Sequence, residues 1–460
     1  MSILNLNLET FKQNFNVTKE IRYKYGEINT PFSLINQMMT LIDDTEFNDP
    51  SKKWIDIGTG TGYFSIILFK KLFTGLIKHF PDEVERTNHI IKNMIYMSEI
   101  RKENCDIIEE LFGKECNLFK GDFLSMGVEE EGFDFVIGNP PYNNNGLKKV
   151  PTNNNNISKK EDGKTVWIPF IKKGVDILKP NGQMVVIIPS IWLKHDKEKM
   201  HDFMMNYKIE HLYCMNNTET NKIFNKYAQT PTCYFKLTKT ENPGYVTIFD
   251  RDCGTLVKWH TRETKVIPVY GCNVLKKIIK HLDKNNKLNV LKTNLPKKGT
   301  IFNNKQTEEF PHANIRTCQL NKLNPELVID YSSNYQSHSN HLCKLVMAHK
   351  MYGFPYLDTE GHGISNRDNY IIINRTLEEL KILRDFFATK TALYLFETTR
   401  YRMKYLEKYI FELLPDVTKL PDFPSTINDE TIADYFGFDK KDIDAINKLH
   451  TKKYSFLFVK

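Results

Sequence analysis

Several things are missing from this 460-residue chain. Its eight cysteines form no CxxC pair and follow no zinc-ligand spacing, which excludes a disulfide scaffold and a zinc module and points to reduced thiols in a cytoplasmic or nuclear compartment. No run of about 18 apolar residues occurs, so no membrane span is expected. The first residues, MSILNLNLETFKQNF, lack a basic stretch followed by an apolar one, so no secretory leader is expected. No internal repeat is visible. With 40% hydrophobic and 12% aromatic residues, wholesale disorder and collagen-like architecture are also excluded. The expectation is a soluble, intracellular, monomeric protein without a structural metal.

What is present is unevenly distributed. The length suits two domains. The formal net charge of +8 divides into −1 for residues 1–250 and +9 for residues 251–460. The second half is therefore the part expected to meet a polyanion. Residues 271–300 alone hold eight lysines, among them Lys276, Lys277, Lys297 and Lys298, against the single acid Asp283.

From residue 54 to about 191, short apolar runs alternate with helical periods, the signature of a parallel α/β layer. Strands are expected at residues 53–57, 94–100, 117–120, 133–138 and 183–189. Helices are expected at 63–73, 83–93, 101–112 and 166–178. Two loops rich in Asn and Lys, 143–149 and 152–164, interrupt the pattern. Beyond residue 200 the runs at 232–238 and 244–249 read as antiparallel strands. A capping box at Thr376 and Glu379, one long helix over 392–414 and two short helices within 429–449 suggest a helical end. The boundary between domains is placed near residue 250.

The strand at 53–57 runs into Gly58, Gly60 and Gly62, with Asp56 two residues before the first glycine. Glycines there permit left-handed backbone and close approach of a ligand. The G-x-G-x-G spacing is not that of a dinucleotide loop, and no Lys-Ser/Thr ending follows, so a ligand without a pyrophosphate is implied. This segment resembles the first motif of S-adenosyl-L-methionine-dependent methyltransferases. The resemblance implies a Rossmann-like domain in which Glu99 holds the cofactor ribose while Asp122 and Phe123 meet its adenine. Glu99 lies 37 residues after Gly62, against about 20 in a compact unit. An inserted helix would account for the distance; Glu85 and Asp82 are the alternatives if the second strand lies elsewhere.

The strongest signal is Asn139-Pro140-Pro141-Tyr142, directly after an apolar strand. Two prolines cannot continue a ladder, so the chain must leave the sheet there in a rigid extended loop, at the edge where open α/β sheets bind ligands. An exocyclic amine conjugated to a purine is a poor nucleophile. Accepting its two hydrogens on the Asn139 side-chain oxygen and the Pro140 carbonyl favours the sp³-like nitrogen needed to attack a sulfonium methyl. Tyr142 offers a flat face for the base. Neither a metal nor a strong general base is needed, because the methylated aminium loses its proton to solvent.

The tetrapeptide resembles the fourth motif of amino-directed methyltransferases, a group that includes DNA adenine-N6, RNA base and protein glutamine-amide enzymes. Upstream, Thr30-Pro31 before an apolar helix resembles the tenth motif of the gamma-class DNA adenine methyltransferases of restriction–modification systems. Downstream, the segment from Phe224 to Phe235 resembles their eighth motif, which implies that Phe224, or else Tyr227, packs against a flipped base. The order of these motifs implies an N6-adenine DNA methyltransferase acting on double-stranded DNA, partnered by a cognate restriction endonuclease, with an α+β target-recognition domain over 251–460. Lys276, Lys277, Lys297 and Lys298 would neutralise phosphate. Asn366, Arg367 and their neighbours in 363–370, together with 334–340, are candidate base readers. The alternatives are an RNA adenine methyltransferase, a glutamine-amide methyltransferase and a catalytically silent specificity subunit.

Overall fold

The computed structural model describes residues 3–14, 17–127, 132–145, 164–228, 230–262, 264, 266–321, 324–349, 353–402 and 406–448. Most of the two Asn/Lys-rich loops expected at 143–149 and 152–164 lies outside them. The chain divides into two compact units, one of residues 1–249 with 258–262, the other of residues 250–257 with 263–460.

The first unit is built on a nine-stranded mixed sheet. Its strands are β1 (Trp54–Ile57), β2 (Ile95–Glu99), β3 (Asn117–Lys120), β4 (Phe133–Gly138), β5 (Leu178–Pro189), β6 (Tyr207–Met215), β7 (Thr232–Glu241), β8 (Tyr245–Asp250) and β9 (Thr255–His260), in the order β3-β2-β1-β4-β5-β7-β6-β8-β9. The first five pair in parallel, while β7 is antiparallel to both β5 and β6. All four residues of β1 are buried, as expected of a strand covered on both faces. β8 falls where an antiparallel strand was expected, but it pairs in parallel with β6 through Ile248 and Leu212. An apolar run specifies a strand without specifying its direction.

Helix α1 (Lys19–Tyr25) precedes the sheet and α2 (Phe32–Met39) starts directly after Pro31, where proline's fixed φ suits a first turn. The crossover from β1 to β2 contains α3 (Tyr63–Gly75) and α4 (Glu83–His89), the latter continued by a π-type turn at Ile90–Met94. This insertion separates Glu99 from the glycines in sequence. Helices α5 (Lys102–Phe112), α6 (Trp167–Asp176) and α7 (Asn217–Ile223) follow later in the unit, which also holds short helices at Leu8–Asn14 and Met200–Met204. Because β1 lies between β2 and β4, the connections leave it in opposite directions, and a crevice opens at its carboxyl end.

The second unit combines a three-stranded sheet, built around β10 (His312–Asn321) and β11 (Asn324–Ser332), with a four-stranded sheet holding β12 (Lys344–Ala348) and β13 (Asn369–Ile372). Its helices are α8 (Cys272–Ile279), α9 (Leu377–Phe387), α10 (Lys390–Thr398), α11 (Asp429–Phe436) and α12 (Lys440–Asn447). The single helix expected over 392–414 is not formed. α10 stops at Thr398, whose hydroxyl donates to the Leu395 carbonyl, and buried Tyr401 reaches the Ile267 carbonyl at 2.6 Å. Among the described residues of 399–414, the next element is a short 3₁₀ turn at Lys408–Glu412. The apolar spacing belongs to two separate elements packing on one core.

Candidate active site

The glycine loop at the end of β1 is fixed by hydrogen bonds to the end of β2. Gly58, Gly60 and Gly62 all have left-handed backbone, with φ of 70°, 60° and 93°, which is costly for any residue with a Cβ. The Thr59 amide donates to the Ser98 carbonyl at 3.0 Å. Its hydroxyl donates to the Asp56 carbonyl and accepts from the Ser98 amide. Glu99 completes the join: one carboxylate oxygen accepts from the Gly60 amide and the other from the Arg101 amide, each at 2.7 Å. The alternatives Asp82 and Glu85 stand elsewhere, exposed on α4, where Asp82 caps the helix.

Two buried carboxyls lie beneath this loop. Burial pushes Asp56 up to about 7, opposed by the hydrogen bond from the Ser65 hydroxyl. Burial, reinforced by the nearby charge of Glu27, pushes Glu99 up to about 7 as well. Asp56 does not line the cavity described below, and Gly62 serves as the cap residue of α3.

β4 ends at Gly138 with φ 143°. A Cβ there would stand 2.9 Å from the Ile57 carbonyl oxygen and 3.2 Å from Asp56 Oδ1, so only glycine lets the chain turn into Asn139-Pro140-Pro141-Tyr142. The Asn139 amide nitrogen donates to the Thr30 hydroxyl at 3.0 Å and faces the Ile28 carbonyl at 3.5 Å. A carbonyl can only accept, so this neighbour assigns the NH₂ and leaves Oδ1 on the other side. That oxygen is buried and has no hydrogen-bond partner among the described residues. A buried acceptor without a donor costs free energy unless a ligand supplies one. Burial raises the Tyr142 phenol far above its ordinary range, so it acts as a neutral ring.

Residues of the N-terminal segment wall the same space. Glu27 accepts from Arg101 at 2.5 Å and from Asn104 at 3.2 Å, with both charged side chains nearly buried. Gly26, at φ 71°, packs so tightly on the Asn143 carbonyl that a Cβ would overlap it. Sequence reasoning passed over Glu27, Arg101, Tyr25 and Phe170. Their only signal was nearness to residues already singled out, because an acid and an arginine 74 positions apart reveal nothing of their pairing.

Together these elements form a cavity of about 310 Å³, lined among others by Thr30, Gly58, Gly60, Glu99, Asp122 and Phe123 and by Asn139, Pro140, Pro141, Tyr142 and Phe224. Asp122 also caps a short turn by accepting from the Leu124 amide, and Phe123 packs against Phe170. Of the two aromatic candidates near 224, Phe224 is buried in the wall. Tyr227 is exposed, with the Arg22 guanidinium 4.0 Å from its ring centroid.

The residues present suit S-adenosyl-L-methionine. A carboxylate stands at the end of the second strand, Gly58, Gly60 and Gly62 all take left-handed backbone that disfavours any other residue, and Asn139, which lines the same cavity, holds an unpartnered buried acceptor. Among the described residues no cluster suited to a metal ion is found, and no helix is long and apolar enough to cross a membrane.

In the second unit, Lys297, Lys298 and Arg367 are exposed and Lys276 is half-buried. Lys277 is instead paired with Asp439 at 3.0 Å and with nearly buried Asp442. Asn366 is half-buried, its side chain accepting from the Asp368 amide and its carbonyl from the Thr293 hydroxyl. Asn369 and Tyr370 are fully buried, bonded to the Arg316 and Leu406 carbonyls, which removes them from the candidate base readers.

Comparison with known proteins finds partial likenesses. The type II methyltransferase M.PaeR7I of Pseudomonas aeruginosa is 35% identical over 81 residues, which is 17% of this chain and 14% of that relative's length. Among solved structures, the type I restriction–modification methyltransferase subunit from Streptococcus thermophilus matches with a TM-score of 0.33 at 17% identity, over 48% of this chain and 47% of that one. The EcoKI type I M protein matches with a TM-score of 0.35 at 14% identity, over 49% and 48%. This chain thus spans about half the length of those two proteins. Residues 28–224, which hold the glycine loop, Glu99, the tetrapeptide and Phe224, match the family of Eco57I restriction–modification methylases.

Proposed function

We propose that this chain is a restriction–modification DNA methyltransferase that transfers a methyl group from S-adenosyl-L-methionine to the exocyclic N6 amine of an adenine rotated out of duplex DNA. The observation that carries this reading is the Asn139 side-chain oxygen, a buried acceptor without a donor in the wall of a cavity shared with the glycine loop. The match of residues 28–224 to the methylase family supports it.

In this reading Glu99 holds the ribose hydroxyls, Asp122 and Phe123 the cofactor adenine, and the segment around Thr30 the methionine end. The chemistry supplied there by the bound cofactor is an electrophilic sulfonium methyl. Asn139 Oδ1 accepts one hydrogen of the target amine and the Pro140 carbonyl the other, which localises the nitrogen lone pair for attack. Tyr142 and Phe224 contact the base and exclude water. The proton shed by the methylated nitrogen passes to solvent. Residues 251–460 form the target-recognition domain, with Lys276, Lys297 and Lys298 on phosphate and Asn366 and Arg367 at base edges. The protein acts as a monomer whose methylation protects DNA from a cognate endonuclease.

The test is incubation of the purified chain with methyl-labelled cofactor and, separately, duplex DNA and structured RNA, followed by nucleoside analysis. N6-methyladenine in DNA at a defined sequence is the expected product. Label confined to RNA, or no transfer at all, overturns the reading.

A further inference from the structure

The chain that brings Phe224 to the cavity carries a feature the reading above leaves unused. After α7, Asn225 and Lys226 both adopt left-handed backbone, with φ of 48° and 69°, although neither is glycine. The reversal is closed by the Lys226 amide on the Asn221 carbonyl at 2.7 Å and the Tyr227 amide on the Phe224 carbonyl at 2.9 Å. Against it lies a shallow, open concave surface lined by Asn217, Thr218, Asn221, Lys222, Asn225 and Lys226.

Every side chain of that lining can donate a hydrogen bond, and none carries negative charge. The one acid of α7, Glu219, is bound in a capping box and accepts from the Asn216 amide at 2.8 Å. Lys222 and Lys226 are exposed and form no ion pair among the described residues. Other lysines of this unit do pair with acids: Lys208 and Lys236 both meet Glu210, and Lys179 meets Asp134. Residues 1–250 carry a net charge of −1, so an acid-free patch here is not a by-product of a basic composition.

We infer that this surface grips the phosphodiester backbone of the strand that carries the target base. Lys222 and Lys226 flank Phe224 at two residues on either side, so the charges that hold the backbone are built into the turn that presents the cavity wall. Amides, hydroxyls and ammonium groups without a carboxylate are the donor set for phosphate, and they bind it without regard to sequence. The catalytic unit would then hold the target nucleotide's own backbone, a task separate from reading the surrounding sequence. This inference rests on the proposed function.

The experiment compares the full chain with Lys222→Gln/Lys226→Gln and Lys222→Arg/Lys226→Arg, using a duplex DNA that the unmodified protein methylates. For the glutamine pair, the slope of log K against log salt should become shallower by about 2, close to 0.9 per lost phosphate contact. Its KM for DNA should rise about 10-fold at moderate salt, with kcat, cofactor affinity and melting temperature unchanged, and the arginine pair should behave as the unmodified chain. An unchanged salt slope and KM overturn the inference. So does a fall in kcat at constant slope, which would mark the turn as a mere support for Phe224. Failure of the unmodified chain to methylate or bind any DNA overturns the proposed function itself, a result distinct from a patch that proves silent in an active enzyme.

Discussion

The side-chain amide of Asn139 donates to the Thr30 hydroxyl at 3.0 Å across 109 residues of chain. This bond fixes which way the Asn139 amide faces, so that its oxygen is the atom left for a ligand. Thr30→Val removes the acceptor while keeping shape. It should lower kcat about 10- to 100-fold with little change in KM, and Thr30→Ser should restore most of it. Asn139→Ala should abolish transfer, by about 1000-fold or more, with the melting temperature nearly unchanged. Near-normal turnover of Asn139→Ala would sink the mechanism.

Gly138 makes the tetrapeptide loop possible. Gly138→Ala places a Cβ against the Ile57 carbonyl and Asp56, at a φ of 143°. A stability loss of about 2 kcal/mol is expected, with methyl transfer falling further than cofactor affinity, because the displaced atoms belong to the loop that holds Asn139. Parallel denaturation and cofactor titration would check it.

Asp56 makes stability depend on pH. Its folded pKa is raised to about 7 from an unfolded value near 4, so the native state holds the proton more tightly. The contribution is fully present below about pH 4, declines as pH rises and is gone above about 7, a change on the order of 4 kcal/mol. Asp56→Asn, which still accepts from Ser65, should flatten that part of the melting-temperature profile between pH 4 and 7. A profile identical to the unmodified chain's would refute the assignment.

Glu99 should make cofactor affinity depend on pH in the opposite sense. Its carboxyl, raised to about 7 by burial and by Glu27, holds ribose hydroxyls best when ionised. Affinity for S-adenosyl-L-methionine should therefore increase as pH rises through about 7, and Glu99→Gln should be weaker and pH-independent. Glu27→Gln removes the repulsion and should shift the midpoint to lower pH. Isothermal titration across pH 5.5–8.5 (about the range in which such carboxyls titrate) would show it.

Lys277 should separate from its neighbours in the lysine-rich stretch. Its bond to nearly buried Asp442 ties α8 to α12, and Lys277→Gln leaves that carboxylate without its cation. A stability loss of about 1 to 2 kcal/mol is expected, with no change in the salt dependence of DNA binding. Lys297→Gln/Lys298→Gln should do the reverse, sparing stability and making the salt slope shallower.

How much was legible differs from element to element. The strand at Phe133–Gly138 could be read to the residue, because a buried strand must be apolar along most of its own few residues. The helix expected over 392–414 failed for a related reason: periodicity records that residues face a core, not that one helix carries them all. Lys277 looked like its neighbours, since the acids that claim it come 162 and 165 residues later.

The sequence by itself determined the local pieces: the apolar strands, the glycines that must take left-handed backbone, and the proline pair that ends β4. Each is settled by sterics and hydration within a few residues. Only the tertiary structure decided which pieces meet. The pairing of Glu99 with Gly60, of Glu27 with Arg101 and of Asn139 with Thr30 spans 39, 74 and 109 positions. The first meeting follows from strand order, because neighbouring parallel strands β1 and β2 end at one crevice whatever the length of chain between them; the other two follow from the N-terminal segment that carries Glu27 and Thr30 being packed against that same edge.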